Sequence, residues 1–472
     1  MNSPFPSLRI GARVLDPQGS FAESQAAFLS PDPATVDALD ALLAARNAGV
    51  VAHFYMDAEL QGVLSALKCE HVFIADSLKM ADAAVEMAEA GVRLIAVLGV
   101  DFMSENVRAV LDAQGFGDVA VVRLAEAPIG CSLAESAESE AYYSWLDRAK
   151  VTERALHVIY INTSLRTKAE AHHRVPTITC TSSNVVRTVL QAAAQIDDVS
   201  VFYGPDTYMG GNLHAMFAQF QQGPAEVVRQ LHPEHTPDTI GGLVERFRVF
   251  DQGTCIVHHM FGADVVRRVE EEHADALLTA HLEVPGEMFS LAARAQAEGR
   301  GVVGSTSNIL GFINDQVDAA AKRSSAQHLA VVLGTESGMI TSIVGSVQRR
   351  LLGHGRDDVE VEIIFPVADE AVAQTGDALG VVPGVAGGEG CSVAGGCATC
   401  PFMKMNDLDA LFGVLERGDD PGAREAFAPR QYVETIAKRT VADLGSEPIL
   451  HMRHLQRTGR LSDALVDDVT TR

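Results

Sequence analysis

The sequence predicts an α/β protein made of three similar units arranged about a pseudo-threefold axis. Three kinds of strand-like segment recur along the chain in the same order, three times over. Helix-like segments separate these strands, and such alternation is typical of parallel sheets covered by helices. A cysteine follows each of the three passes, at Cys131, Cys255 and Cys400. These observations favour three α/β units, each with a parallel sheet, that each contribute one thiol to a shared centre.

The three strand types differ in the residues at their carboxyl ends. The first type is apolar and ends in polar residues, at 51–55, 157–162 and 278–283. The second type ends in hydroxyl residues, at 74–77, 178–182 and 302–306. The third type ends in glycine and an acid, at 97–101, 202–206 and 331–336. Because ligands bind at the carboxyl ends of parallel strands, these ends predict one shared site.

The repeat also divides the chain into five segments. We expect an N-terminal extension over 1–40, α/β units over 41–130, 131–254 and 255–406, and a helical C-terminal extension over 407–472. A helix is predicted over 34–46, with Asp32 or Ser30 as its cap, because its valine and leucines keep helical spacing. Helices are also predicted over 408–416 and 430–444, whereas the last ten residues should fray.

The composition narrows the classes of function. The chain has 472 residues and 47% hydrophobic content, enough for more than one core. A net charge of -25 argues against nucleic acid or an anionic membrane surface as a partner. No apolar run approaches the roughly 18 residues of a membrane helix, and the N-terminus lacks the order of a secretory signal. We therefore expect a cytoplasmic protein whose seven cysteines serve as reduced thiols, metal ligands or redox groups.

A simpler interpretation of each polar strand end stays open at this point. A single histidine there is more often structural or exposed than functional, and the TSSN run at 181–184 is commonly just a helix cap. The coincidence of these ends in three matching units is what favours a site.

The cysteines allow two kinds of metal site. Three thiolates from three units would hold one metal cluster and leave a fourth position open to a substrate. Cys391, Cys397 and Cys400 lie in and after a predicted glycine-rich loop and could instead bind structural zinc, with a fourth ligand elsewhere. Cys69 and Cys180 lie in or beside apolar runs, which is typical of buried small hydrophobic residues.

At the level of ordered motifs, the chain resembles the quinolinate synthase family, in a longer form similar to the plant enzymes. The motifs are AHFYMDAELQ (52–61), ADSLKMAD (75–82), LGVDFMSENV (98–107), YINTSLRTKAEAH (160–172), TCTSSNVV (179–186), FYGPD (202–206), GTCIVHH (253–259), HLEVPGEM (281–288), GSTSNI (304–309), LGTESGM (333–339) and CATCPFMKMN (397–406). They cover about residues 50–406, so the resemblance spans most of the chain.

This resemblance implies a fold, a reaction and a cofactor. The expected fold has three pseudo-threefold-related, Rossmann-like α/β/α units, each with a short parallel sheet, around a central iron–sulfur site. The expected reaction condenses iminoaspartate with dihydroxyacetone phosphate to quinolinate for NAD synthesis, with loss of phosphate and water. The expected cofactor is one four-iron four-sulfur cluster held by Cys131, Cys255 and Cys400, with one iron open to substrate. Leu98 stands where some family members carry another cysteine, and Cys397 competes with Cys400 as the third ligand.

The resemblance also assigns roles to the polar strand ends. Glu283 and His281 share a strand end and are expected to act as base and orienting donor, with Tyr55 as a further catalytic group. The expected substrate-binding residues are His53, Ser77, Tyr160, Asn162, Thr181, Ser182, His258, Ser305 and Thr306. Five of these are hydroxyl residues that precede helix-like runs, where hydroxyls and N–H groups bind anions. We also expect a monomer or homodimer, functionally coupled to L-aspartate oxidase and a cluster-assembly protein.

Two other classes of function remain as alternatives. One is a different iron–sulfur enzyme with an open site, such as a dehydratase or reductase acting on an isoprenoid diphosphate. The start of the first unit, AHFYMDAEL at 52–60, argues against it. The other is a non-catalytic scaffold that binds zinc through Cys391, Cys397 and Cys400, which metal analysis would identify.

Overall fold

The computed structural model of the chain describes residues 4–366, 400–418 and 420–472. In chain order the strands are β1 (Ser7–Ile10), β2 (Leu15–Gln18), β3 (Ala48–His53), β4 (Val72–Ala75), β5 (Leu94–Leu98), β6 (Ala120–Val122), β7 (Ala155–Tyr160), β8 (Thr177–Cys180), β9 (Ser200–Gly204), β10 (Phe247–Val249), β11 (Leu277–His281), β12 (Gly301–Gly304), β13 (Gln327–Gly334), β14 (Val359–Ile364), β15 (Thr435–Ile436) and β16 (Arg439–Thr440).

The α-helices are α1 (Ser20–Ala27), α2 (Pro33–Arg46), α3 (Ala58–Ala66), α4 (Ser77–Glu89), α5 (Asp101–Ala113), α6 (Ser132–Ala137), α7 (Glu140–Lys150), α8 (Leu165–Arg174), α9 (Val185–Gln195), α10 (Thr207–Gln222), α11 (Ala225–Leu231), α12 (Pro237–Arg246), α13 (Ala263–Glu272), α14 (Gly286–Ala297), α15 (Thr306–Ala321), α16 (Ile340–His354), α17 (Leu408–Glu416), α18 (Pro421–Glu425), α19 (Val441–Thr458) and α20 (Asp463–Thr471). Within the described residues, no helix is long and apolar enough to cross a membrane.

Three sheets with parallel strands form the body of the protein, which confirms the predicted α/β class. Their parallel strands run in the orders β4-β3-β5-β6, β8-β7-β9-β10 and β12-β11-β13-β14. Among the four parallel strands of each sheet, the one that comes first along the chain lies between the second and the third. The nine predicted strands, three of each type, therefore all occur, in one repeated order. Their arrangement about a threefold axis stays a prediction.

The inner strands form because their sequences are continuous apolar runs. Every residue of β3, β5, β7 and β8 is buried, as expected for parallel strands covered on both faces. Polar residues at the carboxyl ends then start the following helices. Asp76, for example, accepts the N–H groups of Leu78 and Lys79 at the start of α4. The alternation of strand and cap thus places polar groups at one edge of each sheet.

The N-terminal segment belongs to the third sheet, although the sequence predicted only an extension. β1 pairs antiparallel with both β14 and β2, and Leu8 and Ile10 are fully buried. Two strands of four residues carry too little periodicity to be predicted from their own sequence. The predicted boundary at 40/41 falls inside α2. The N-cap of α2 is Asp32, one of the two caps that the sequence predicted.

The C-terminal segment corrects two predictions. The helix predicted over 430–444 is wrong, because β15 and β16 form a hairpin there and α19 begins only at Val441. Ala437 and Lys438 turn between the strands with φ of 50° and 72°, which no α-helix allows. The last ten residues do not fray, since α20 buries Leu465 and Val469. The predicted helix over 408–416 is confirmed as α17.

Candidate active site

Three strands, one in each parallel sheet, end in a residue with a polar ring. His53, Tyr160 and His281 are the last residues of β3, β7 and β11, and all three are buried. The two histidines share one geometry, since each Nδ1 accepts the backbone N–H two residues ahead. The distances are 3.2 Å from the Tyr55 nitrogen to His53 and 3.3 Å from the Glu283 nitrogen to His281. Nδ1 as an acceptor implies that each ring carries its proton on Nε2.

Burial keeps these two imidazoles neutral. It lowers the pKa of His53 and of His281 to about 4, against the opposing effect of the Glu283 charge. Each ring can therefore donate from Nε2 at neutral pH. His281 Nε2 is buried and has no hydrogen-bond partner among the residues that the structure describes. Such a donor is available to a ligand.

Glu283 is the centre of the buried polar group. The Tyr160 hydroxyl donates to Glu283 Oε1, and His258 Nδ1 lies 3.0 Å from Oε2, without the alignment of a hydrogen bond. His281 Nδ1 is 3.7 Å from Oε1. Burial alone would raise the pKa of Glu283, but the interactions with the His281 and His258 imidazoles and the Tyr160 hydroxyl outweigh it and hold the pKa at about 2. Glu283 is thus an ionised carboxylate at neutral pH.

Tyr55 connects this group to the first unit. Its hydroxyl lies 3.1 Å from Thr306 Oγ1 and 3.2 Å from Thr335 Oγ1. Its ring meets His53 edge-on, with the ring centres 4.7 Å apart, and lies 6.2 Å from His258. His258 in turn stacks on His281 at 5.0 Å. The predicted catalytic residues therefore form one buried cluster with strand ends from all three sheets.

The three predicted ligand cysteines lie around the same cluster. Cys255 Sγ, a ring nitrogen of His258 and a carboxylate oxygen of Glu283 all lie within 4.8 Å of one another. Burial raises the pKa of the Cys131 thiol to about 12, with Glu283 adding to the effect. Burial also raises the pKa of Cys255 and of Cys400, and their charges act on each other: Cys400 on Cys255, and Cys131 on Cys400. The three half-buried thiols therefore share one electrostatic environment.

The donor set fits a soft metal group. Three sulfurs and neutral imidazoles are ligands that iron–sulfur groups and zinc prefer, whereas magnesium and calcium prefer oxygen. Glu336 Oε2, buried and near two of the thiols, has no hydrogen-bond partner among the described residues. A bound cation would stabilise the ionised forms of these thiols and of Glu336, which burial otherwise disfavours. Cys391 and Cys397, and with them the predicted glycine-rich loop, lie outside the described residues.

The predicted anion-binding residues lie at or just before the starts of helices. Ser77 is the first residue of α4, and Ser305 caps α15 through the Asn308 N–H at 3.3 Å. The Thr181 hydroxyl lies 2.8 Å from that of Ser183, just before α9. Three other predicted substrate-binding residues differ in burial. Ser182 is partly exposed, Asn162 is half-buried after β7, and Thr306 is buried against Tyr55.

A cavity of about 300 Å³ opens where these helices begin. The first turns of α4, α9 and α15 contribute Lys79, Arg187 and Ser307, and α19 contributes Leu455 and Gln456. Lys79, Arg187 and the three helix N-termini favour an anionic ligand at this opening, and the carboxylate of Asp76, which also lines it, opposes one. Sequence neighbours of the predicted hydroxyl residues, rather than those residues themselves, thus line this opening, whereas Glu283 and the histidines are buried.

Buried amide side chains that the sequence reasoning missed hold the site loops in place. Gln61 Nε2 donates to the carbonyls of Phe54 and Met56, both at 2.8 Å, and of Gly338 at 2.7 Å. It thereby fixes the Tyr55 loop, and Gly338 approaches so closely that an added Cβ would lie 2.9 Å from the Tyr55 Cα. Gln61 stands inside a quoted motif, which was the available signal.

Two further amides act in the same way on other loops. Asn212 Nδ2 donates to the carbonyls of Leu282 at 2.9 Å and Val284 at 2.8 Å, one on each side of Glu283. Asn406 accepts the Gly99 N–H at 3.2 Å and donates to its carbonyl at 3.1 Å. The segment that carries Cys400 is thereby fastened to the end of β5. Asn406 ends a quoted motif, whereas nothing in the sequence around Asn212 pointed to this contact.

Comparisons with known proteins agree on one family. The family model described as NadA, quinolinate synthetase A protein, matches residues 37–358. A chloroplastic quinolinate synthase of Nicotiana tabacum is 52% identical over 100% of this chain and 67% of its own length. That of Arabidopsis thaliana is 51% identical over 99% of this chain and 67% of its own length. A quinolinate synthase of Ehrlichia chaffeensis is 24% identical over 79% of this chain and 86% of its own length. The chain thus spans about two thirds of the length of these plant relatives.

These relatives correct the expectation of a cytoplasmic protein. The similar enzymes from Nicotiana tabacum, Arabidopsis thaliana and Oryza sativa are all named chloroplastic. The expectation rested on the absence of a recognisable export signal, and it is contradicted by these names.

Proposed function

This chain belongs to the quinolinate synthase family, and on that premise we propose that it condenses iminoaspartate with dihydroxyacetone phosphate to quinolinate, with loss of phosphate and water, for de novo NAD synthesis. The observation that carries the proposal is the buried group of Glu283, Tyr160 and His281 next to the Cys255 thiol. Such a reaction needs a base, donors and a Lewis acid at one place.

Three cysteines would hold the metal group in this proposal. Cys131, Cys255 and Cys400 come from three separate segments, and their thiols share one environment with Glu283 and Glu336. One four-iron four-sulfur cluster bound there would supply an open iron that polarises a substrate oxygen and eases loss of water. The alternative of a zinc scaffold depends on Cys391 and Cys397, which lie outside the described residues.

The residues of the chain would divide the remaining work. Glu283, ionised and buried, accepts a proton from substrate, while the Tyr160 hydroxyl orients its Oε1. Tyr55 and the Nε2 atoms of His53 and His281 act as donors to substrate oxygens.

Anion binding belongs to the opening of the site in this proposal. Ser77, Thr181, Ser182, Ser305 and Thr306, at the starts of α4, α9 and α15, bind the phosphate and the two carboxylates. Asn162 and His258 complete the substrate site. Coupling to L-aspartate oxidase and to a cluster-assembly protein, and a monomeric or homodimeric state, belong to the same proposal.

An anaerobic assay with both substrates tests this function, and one pair of variants tests the base. Glu283→Gln keeps shape and hydrogen-bonding capacity but cannot accept a proton as a carboxylate does. We expect it to retain the cluster spectrum and lose at least about a hundredfold in turnover. Glu287→Gln, an equal change at an exposed position of α14, serves as the control and should match the parent. Parent protein that holds iron and forms no quinolinate would refute the function, whereas an active Glu283→Gln would move the base to another group.

A further inference from the structure

A buried lysine braces the turn that follows Tyr160. Lys168 on α8 is fully buried, and its Nζ donates to the carbonyl of Ile161 at 3.1 Å and to that of Thr163. The Thr163 hydroxyl donates in turn to the Tyr160 carbonyl at 3.0 Å. A buried ammonium group is costly unless it is hydrogen-bonded and paired. The position of this turn therefore depends on Lys168.

A buried glutamate braces the other end of the same turn. Glu105 on α5 accepts the Leu165 N–H at 2.8 Å through Oε2, and Leu165 begins α8. Burial lowers the pKa of Lys168 to about 7, and the Glu105 charge opposes this change. Burial likewise raises the pKa of Glu105, and the Leu165 N–H and the Lys168 charge oppose it. Each charge thus stabilises the other in the interior.

The C-terminal segment also contacts Glu105, through Tyr432. The Tyr432 hydroxyl donates to Glu105 Oε1 at 2.9 Å, and Tyr432 is buried. Tyr432 comes after residues 367–399 and after α17 and α18, so a residue far along the chain reaches the start of α8. Contacts run from Tyr432 to Glu105 and from Glu105 to the Leu165 N–H at one end of the turn, while Lys168 contacts the other end from α8.

We propose that Lys168 and Glu105 are positioning residues that hold the 160–165 turn so that the Tyr160 hydroxyl meets Glu283, and that Tyr432 of the C-terminal segment fastens them. The inference rests on the proposed function for the role of Tyr160. It gives the C-terminal segment a part in catalysis, although none of these three side chains contacts Glu283. The competing explanation is that they stabilise the fold alone.

Two variants and one control separate these explanations in the anaerobic holoenzyme. Tyr432→Phe removes a single hydroxyl and should lower kcat about fivefold with little change in KM. Lys168→Met removes the donor to both carbonyls and should lower kcat on the order of 10²-fold, because the turn shifts. Val433→Ala changes the adjacent side chain, which is 84% exposed, and should behave as the parent. If Lys168→Met does not fold, Tyr432→Phe carries the test.

Combining these variants with Tyr160→Phe provides the readout that a purely structural role would not move. If Lys168 and Tyr432 act through Tyr160, each change should cost less than about twofold in kcat once the Tyr160 hydroxyl is absent. Equal losses in both backgrounds would overturn the proposal.

Hydrogen exchange of the peptide over 160–168 gives a second readout that does not depend on turnover. Tyr432→Phe should raise its exchange rate about tenfold, and Val433→Ala should not. Unchanged exchange would overturn the proposal even if the parent makes quinolinate. A parent protein that makes no quinolinate would instead refute the proposed function. The exchange result would then decide the positioning proposal by itself.

Discussion

Replacing Asn212 by aspartate should displace the Glu283 turn, although the side chain at position 212 keeps nearly the same shape. Asn212 is 3% exposed, and its Nδ2 supplies hydrogen bonds to the carbonyls of Leu282 and Val284. Asn212→Asp turns this double donor into an acceptor that faces two carbonyl oxygens. Leaving a buried acceptor unpaired costs about 1–3 kcal/mol, so two such carbonyls predict a loss of about 2–6 kcal/mol in the free energy of unfolding.

The same substitution should also lower activity. Glu283 lies between the two released carbonyls, and a displacement of about 1 Å at a reacting group can cost on the order of 10²-fold in rate. The assay is anaerobic quinolinate formation at saturating substrates, together with thermal unfolding of the same preparation. Gln219→Glu makes the same amide-to-carboxylate change at an exposed position of α10 and serves as the control. An Asn212→Asp protein that matches this control in turnover would refute the reasoning.

Three further predictions concern the metal, the pH dependence and oxygen. Asn406→Ala removes the contacts to Gly99, so Cys400 in the metal-free protein should be alkylated about tenfold faster, and an unchanged rate would contradict the clamp. Burial lowers the pKa of His157 to about 3, so below about pH 6.5 the unfolded chain binds a proton that the native protein excludes. The contribution of His157 to the free energy of unfolding is therefore complete above about pH 6.5. It falls by about 1.4 kcal/mol per pH unit below that value. Denaturation of His157→Gln between pH 6 and 4 should show a shallower fall, whereas the exposed His214→Gln should follow the parent. Exposure to air should remove iron and activity together, with recovery after anaerobic reconstitution, and full activity in an iron-free preparation would contradict the mechanism.

The strands and their polar ends could be predicted because the signal is local. Apolar runs followed by His53, Tyr160 and His281 are readable in sequence, and the rule that parallel strands bind ligands at their carboxyl ends brings them together. The structure places all three at strand ends and adds Glu283 and Tyr55 to the same buried group.

The residues that hold these loops could not be predicted from local sequence. Asn212 reaches Leu282 across 70 positions, and Tyr432 reaches Glu105 across 327 positions. Such contacts arise only when separate units pack together, and a buried amide has no periodic pattern of its own. The hairpin that replaced the predicted helix over 430–444 has a different origin, because apolar spacing suited a helix while Ala437 and Lys438 adopt positive φ.

The metal content of cysteine variants tests the account most directly. Iron, sulfide and zinc should be measured in protein purified without oxygen, for the parent and for serine variants of Cys131, Cys255 and Cys400. Cys180→Ser is the control, since Cys180 is fully buried in β8. The account predicts iron and sulfide in near-equal amounts in the parent and in Cys180→Ser, and loss of both in the other three variants. Zinc in the parent, or a cluster retained by Cys131→Ser, would contradict it.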